Sequence, residues 1–479
     1  MRSRIAALAL VLCFLPRAMA EGLPDLGEAA QSEFSPAQER RLGENIVRDF
    51  RARDPAYLDD PEVEDYLNRL GNKLVAHSQA ARQQFEFFAV RDSTLNAFAL
   101  PGGYIGVHTG LVTTAQTESE LASVLSHEIA HVTQHHIARM VSTQGQTGMM
   151  ALAALLVAVL AARSNAQVGE AAMAAGQAAA IQTQLGYSRD FEREADRFGL
   201  QTLEAAGFDT RGMSSFFERL QQQNRLYENN APVYVRTHPL TTERITDIGN
   251  RVQGSRYRQV ADNPEFNLIR AKLLSQQGRP DEAVARLQTG GGKGSPAFQG
   301  SALAYGLAHA YARGHKWAEA ERELAKLPRG NPLFESLAAE IRSGQGDLAG
   351  AARIYKDALA RTPHARALVY GYAEVLLQAG GAKEAQPFLQ AEIQYRNRDP
   401  RLHGLQARAY AALGKRTQQH RAQAEVYALR GNTMAAVDQL QLAQRAGDAD
   451  FYELSAVDAR LRELQARARE ELKERNAGR

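Results

Sequence analysis

Cysteine is almost absent from this sequence of 479 residues: Cys13 stands alone. A surplus of charge is missing as well, since 57 Lys and Arg face 54 Asp and Glu. Three of the basic residues (Arg2, Arg4 and Arg17) lie with Cys13 in the first twenty positions, so the rest of the chain carries 54 charges of each sign. That remainder has no thiol for disulfides, for cysteine-built zinc sites or for a nucleophile. Its neutrality excludes a nucleic-acid partner held by net charge, which needs a basic surplus or patch. A convincing membrane span is missing too. The apolar run Met149–Ala162 has only 14 residues, short of the roughly 20 a bilayer requires. A hydrophobic content of 44% excludes wholesale disorder. The length predicts two or more domains, because single cores rarely grow beyond about 250–300 residues.

The first twenty residues read as a signal peptide. Arg2 and Arg4 form a positive start, Ile5 to Leu15 is an apolar stretch of secretory length, and Ala18-Met19-Ala20 fits a small-x-small cleavage site. Cleavage is expected near Ala20, with export from the cytoplasm through the Sec route. A cysteine-free mature chain is then silent about redox compartment.

Residues 34–82 read as helical, Phe85 to Val90 as a strand, and Asn96 to Gly110 as a hairpin turning at Pro101-Gly102-Gly103. Glu118 to Met140 reads as one helix, and 188–206 and 211–227 as two more. From about residue 260 a glycine recurs at 278, 314, 346, 380 and 414, at intervals of 36, 32, 34 and 34 residues. A helix-turn-helix unit of about 34 residues is the tetratricopeptide period. Ala283, Ala351 and Ala385 each follow their glycine by five residues, where the second helix must pack closely on the first. Pro264, Pro296, Pro332, Pro363 and Pro400 punctuate the repeat starts. Gly431 falls half a period late, so the last unit is out of phase. The expected organisation is a signal peptide over 1–20, a first folded domain over 21–257 and a helical repeat domain over 258–479.

His127-Glu128-Ile129-Ala130-His131 is an H-E-x-x-H. Residues four apart share a helix face, so both imidazoles can reach one metal ion, and Glu128 can take a proton from an activated water. A catalytic site needs a third protein ligand. Downstream, Glu192 and Asp196 are four apart at the start of a helix. Glu192 is the expected ligand, and Asp196 is expected to hold the free ring nitrogen of a histidine. Glu194 points elsewhere and reads as a solvated charge. A third histidine six residues past His131 is lacking, because Ile137 stands there; His135 and His136 read as surface or supporting residues.

H-E-x-x-H followed by E-x-x-x-D in a Ser-Arg-x-x-Glu context resembles peptidase family M48. The fold so implied is mainly α: an α+β zincin-type domain with a small sheet, followed by an α-solenoid of tetratricopeptide-like repeats. The resemblance implies one Zn2+ per chain on His127, His131 and Glu192, with Glu128 as base. Its soluble branch implies a periplasmic endopeptidase with a chaperone-like side. The implied partners are unfolded or misassembled outer-membrane β-barrel proteins and their assembly machinery, the latter reached through the repeats. The hairpin, with Asn96, Ala97 and Phe98, is expected to offer a strand edge to extended substrate. A transition-state donor is sought among Tyr234, Arg236, His238 and Arg244. For His238 two readings stand: a fourth imidazole that keeps the enzyme latent, or a donor to substrate or a turn cap. The 149–162 run is either a buried helix or a lipid-contacting or gating segment. The competing functional reading is a repeat adaptor or chaperone whose protease part is mostly silent.

Overall fold

The computed structural model describes residues 35–142, 189–226, 233–254, 260–289 and 300–477. The signal-peptide, 149–162 and Pro296 readings therefore lie outside the described residues. Two helices open the fold, α1 (Pro36–Arg53) and α2 (Pro61–Val75). Each begins with a proline at its first position, where no amide donor is needed. Ser35 and Asp60 cap them, accepting from the backbone N–H groups of the first turn. Leu67, Leu70 and Leu74 turn one face of α2 inward, each worth about 1.5–3 kcal/mol of burial.

Strands β1 (Glu86–Val90), β2 (Ala97–Leu100) and β3 (Tyr104–His108) form a sheet in the order β1-β3-β2. β1 runs parallel to β3, and β2 returns antiparallel to it as the expected hairpin. This leaves β2 at an edge. Behind the sheet lie α3 (Thr109–Thr114) and α4 (Glu118–Thr133). Thr117 caps α4 by accepting from the Glu120 N–H. The long helix expected to reach Met140 stops at Thr133. His135 adopts a left-handed φ of 54°, which turns the chain before a new helical stretch over 136–142. The N-terminal part continues with α5 (Arg189–Ala205), α6 (Arg211–Leu226), α7 (Val233–Thr237) and α8 (Thr242–Gly254). Among the described residues no helix is long and apolar enough to cross a membrane.

Among the described residues six helix pairs follow: α9 (Pro264–Ser275) with α10 (Pro280–Gln288), α11 (Ser301–Arg313) with α12 (Trp317–Leu324), and α13 (Pro332–Gly344) with α14 (Leu348–Arg361). The next are α15 (Arg366–Gln378) with α16 (Ala382–Tyr395), α17 (Pro400–Ala412) with α18 (Arg416–Leu429), and α19 (Thr433–Arg445) with α20 (Phe451–Ala477). The recurring glycines sit in the turns within pairs. Gly278, Gly346, Gly380 and Gly414 hold φ between 67° and 88°, a region closed to most side chains. Gly314 does not; there His315 takes the positive φ one residue later. Gly431 lies between pairs, not within one, which is why it breaks phase. Ala283, Ala351 and Ala385 are fully buried where paired helices meet.

One apolar core runs from α2, the sheet and α4 through α9, α11 and α13. The expected boundary at 257/258 falls among 255–259, outside the described residues, and the core is shared across it. Separate clusters serve α14–α17 and α18–α20. The repeats do not present a vacant inner face. Lys272, Tyr305, Ser336 and Arg366, one from the first helix of each of four successive pairs, converge on the acidic start of α2. Lys272 contacts Asp60 and Glu62, Tyr305 and Ser336 bond Glu62, and Arg366 pairs with Glu64 and Asp65.

Candidate metal centre

Helix α4 carries His127 and His131 one turn apart on a single buried face. Their Nε2 atoms come within 3.0 Å of each other. Helix α5 crosses α4 closely enough to bring its first turn to the same point. The close approach needs Gly199: a Cβ there would stand 3.1 Å from the His127 backbone. One turn and two turns back, Asp196 and Glu192 share that face. Glu192 Oε1 lies 3.4 Å from His131 Nε2, and Glu192 Oε2 lies 3.5 Å from His127 Nε2. His238, just past α7, completes the group, with Nδ1 3.0 Å from Glu192 Oε1. One ligand-capable atom from each of His127, His131, Glu192 and His238 lies within 4.8 Å of all the others, and all four residues are buried.

The charges around the cluster are ordered. Asp196 Oδ1 lies 3.0 Å from His127 Nδ1. Its carboxylate in turn receives two hydrogen bonds from Arg244, at 2.6 and 2.7 Å. Arg244 also reaches Glu192 Oε2 at 2.7 Å. Burial works against charge on the His127 ring, yet Asp196 and Glu192 outweigh it and lift its pKa to about 9. Burial, with the charge of His127, pushes His131 down to about 3. Glu192 stays well below the carboxylate range despite burial, because His238, His127 and His131 face it. His131 is thus neutral and Glu192 anionic, the forms in which an imidazole and a carboxylate can serve as metal ligands.

Glu128 is fully buried, and burial raises its pKa. Neither of its carboxylate oxygens has a well-formed hydrogen bond among the described residues. It faces the His238 Nε2 at 3.5 Å and the backbone of Ala99 on the edge strand. A buried carboxylate so thinly hydrogen-bonded is costly, and such groups mark places where something else is meant to sit. Two imidazoles, one carboxylate and an orphaned second carboxylate suit a divalent cation such as zinc together with a water.

The strand edge has a defined register. His108 N–H donates to the Asn96 carbonyl, and Phe98 and Leu100 stand opposite Gly106 and Tyr104. Alternation of antiparallel pairs then turns the N–H and C=O groups of Ala97 and Ala99 away from β3. Ala99, which the sequence reading did not single out, is the one that reaches Glu128. Asn96 and Phe98 point elsewhere: the Asn96 amide lies 3.5 Å from His108 Nε2, and the Phe98 ring covers Gly106. Ala97 and Ala99 are both buried.

Other expectations sharpen or change. Arg244 is committed to Asp196 and Glu192. Tyr234 is buried and stacks on His238 at 4.6 Å between ring centroids. The Arg236 side chain lies outside the described residues. Glu194 is not simply solvated: its Oε2 accepts from Arg139 at 2.9 Å and lies 3.2 Å from His136 Nε2. His136 is fully buried, not a surface residue. Its proximity to His131 came from a helix break that no helical pattern announces.

Comparison with known proteins agrees with this geometry. The profile of peptidase family M48 matches residues 61–252, and a tetratricopeptide repeat profile matches residues 343–409. The beta-barrel assembly-enhancing protease of Escherichia coli strain K12 is 34% identical over 458 residues, which is 94% of this chain and 93% of that protein. The protein of the same name from Yersinia pestis is 32% identical over 446 residues, 92% of this chain and 91% of its own. The mitochondrial metalloendopeptidase OMA1 of Schizosaccharomyces pombe is 30% identical over 184 residues, 38% of this chain and 51% of its own.

Proposed function

The chain belongs to peptidase family M48 and is a metalloendopeptidase, and we propose that it cleaves misassembled outer-membrane β-barrel proteins in the periplasm. The names of the relatives that match nearly its whole length support the substrate class. The observation that carries the catalytic part is the buried pair of roles at one point: three donors gathered within ligating reach, beside a carboxylate that has no well-formed hydrogen bond among the described residues. In this reading His127, His131 and Glu192 hold one zinc ion. When bound, the ion supplies Lewis-acid chemistry, polarising the scissile carbonyl and bringing water into a reactive range near neutral pH. Glu128 takes the water proton and delivers it to the leaving amine; burial raises its proton affinity toward that task. Asp196 holds the His127 ring, and Arg244 keeps Asp196 and Glu192 charged and in place. The outward N–H and C=O groups of Ala97 and Ala99 hold an extended substrate by backbone pairing, which suits unfolded chains of many sequences.

The test is metal content. Wild type should hold one zinc per chain, and His127→Ala should lose it together with proteolysis. Zinc retained at full stoichiometry in the variant would sink the assignment.

One observation favours a second reading, in which the repeats act as adaptor or chaperone and the protease is latent. The His238 ring sits against both Glu192 and Glu128, in the space an attacking water needs. Replacing His238 with Ala should then raise proteolysis. Unchanged or lower activity would dismiss latency and leave His238 a substrate-facing donor. A Glu128→Gln chain that still supports outer-membrane assembly in full would make proteolysis secondary.

A further inference from the structure

Behind His131 runs a second line of polar side chains. On a continuous helix His131 and His136 would be five residues and about 140° apart, on different faces. The chain is not continuous there. Helix α4 ends at Thr133, and His135 takes its left-handed φ of 54°. The turn brings His136 back, so that its Nδ1 lies 2.8 Å from His131 Nδ1. His136 Nε2 lies 3.2 Å from Glu194 Oε2, and Arg139 donates to the same oxygen at 2.9 Å. The Phe191 ring stacks on His136 at 4.5 Å and 11°, and the Arg139 guanidinium lies 4.5 Å over Phe191. The first two turns of α5 thus supply the proposed ligand Glu192, the stacking ring before it and, two residues on, the anchoring carboxylate Glu194.

The proton directions are consistent along this line. His131 faces Glu192 and His127 through Nε2. If Nε2 binds metal, Nδ1 must carry the hydrogen and donate to His136 Nδ1. His136 then carries its own hydrogen on Nε2 and donates it to Glu194, which Arg139 holds ionised. Each donor meets one acceptor, and no step requires a second proton. His127 is backed differently, by Asp196 directly.

We infer that His136 is a positioning residue: with Glu194 and Arg139 behind it, it fixes the tautomer and ring plane of His131 for metal binding. The inference rests on the metal assignment proposed above. Partners of this kind contribute about 10–100-fold in metal affinity.

The experiment is zinc affinity of the full chain by chelator competition, beside thermal unfolding of the chelator-treated protein. His136→Phe keeps an aromatic plane against Phe191 and removes the acceptor. It should bind zinc about 10–100-fold more weakly, with metal-free unfolding near wild type. His136→Gln, whose amide oxygen accepts, should regain most of the affinity. The visible bands of the cobalt(II)-substituted protein should shift in the Phe variant and return in the Gln variant. Should His136→Phe not fold, Glu194→Ala carries the test, with a several-fold loss expected. Zinc affinity unchanged in His136→Phe or in Glu194→Ala overturns the inference. So does an equal loss in the Phe and Gln variants that tracks lost metal-free stability, which is the mark of packing alone. Wild type without stoichiometric zinc would instead overturn the metal assignment itself, so the two failures are distinguishable.

Discussion

The protein contains two buried ionic clusters of similar richness that are finished differently. At the junction between the protease part and the repeats, Asp60 and Glu62 meet Lys272 at 2.6–2.9 Å. Asp60 also accepts from the first backbone N–H groups of α2 and from Gln276, and Glu62 from Tyr305. Both of these carboxylates have partners at hydrogen-bonding distance. At the metal centre Asp196 and Glu192 are held by Arg244 at 2.6–2.7 Å, whereas Glu128 has only His238 Nε2, at 3.5 Å, and no well-formed hydrogen bond among the described residues. The difference teaches how to tell a structural cluster from a reactive one. Satisfied buried charge holds a geometry, and a buried group kept unsatisfied holds a place for chemistry.

Replacing the orphan tests this most severely. Glu128→Gln should reduce peptide hydrolysis by about 10²–10⁴-fold, the usual range for a lost proton carrier. The chelator-treated variant should melt at or above wild type, because a buried, thinly hydrogen-bonded carboxylate has been neutralised. A clear fall in melting temperature would mean that Glu128 supports the fold and that the contrast is false. The mirror experiment is Lys272→Met. Removing one member of a fully satisfied buried cluster strands the others and should cost about 3–5 kcal/mol in urea unfolding. The metal-binding residues remain, so zinc stoichiometry should stay at wild type.

The two clusters also differ in how far the sequence announced them. His127, Glu128 and His131 were legible because a helix repeats every 3.6 residues. Glu192 and Asp196 followed from the same spacing on a second helix. The repeat solenoid was legible through glycines that only a left-handed turn demands. The junction was invisible: Lys272 lies 212 residues from Asp60, and no local pattern joins a lysine on one helix to a cap on another. The same limit hid the role of Arg244, 48 residues from Asp196. It also hid the return of His136, which depends on a single backbone torsion, and the choice of Ala99, which depends on strand register. What sequence period encodes can be read; what tertiary approach creates cannot.

Titration separates the clusters by sign. In the metal-free protein His127 has its pKa raised from 6.5 to about 9. A group whose folded pKa is raised contributes stability below its unfolded value and loses it as pH climbs through the folded one. Chelator-treated protein should therefore lose on the order of 2–3 kcal/mol between pH 6.5 and 9, and Asp196→Asn should flatten that slope. Asp60 behaves oppositely: burial opposes its charge, but Lys272 wins and lowers its pKa. Its contribution is present above about 3.8 and fades as acid takes the pH below that value. A chelator-treated protein equally stable at pH 6.5 and 9 would show that Asp196 and Glu192 do not hold a charged His127.

The smallest effects decide how firmly the repeats are held. Arg366 pairs with Glu64 and Asp65, and its side chain is 24% exposed while that of Glu64 is 7% exposed. Arg398 pairs with Glu44, and the two side chains are 78% and 44% exposed. Solvent screens the second pair, so Arg398→Ala should change stability by less than about 1 kcal/mol and lose even that in high salt. Arg366→Ala takes from the buried Glu64 the partner of its Oε2, leaving Tyr57 and Arg51 on Oε1, and should cost more, with weaker salt dependence. Such a gradient would mean that the first four helix pairs are clamped to α2 and the last two only tethered to α1. Hydrogen exchange should then be faster in α17–α20 than in α9–α15, because local opening follows the density of buried contacts. That ordering would leave the C-terminal end of the solenoid the less encumbered one, since the first helices of the first four pairs already contact the acidic start of α2. Equal costs at Arg366 and Arg398 would instead mean that the solenoid is held equally firmly along its length.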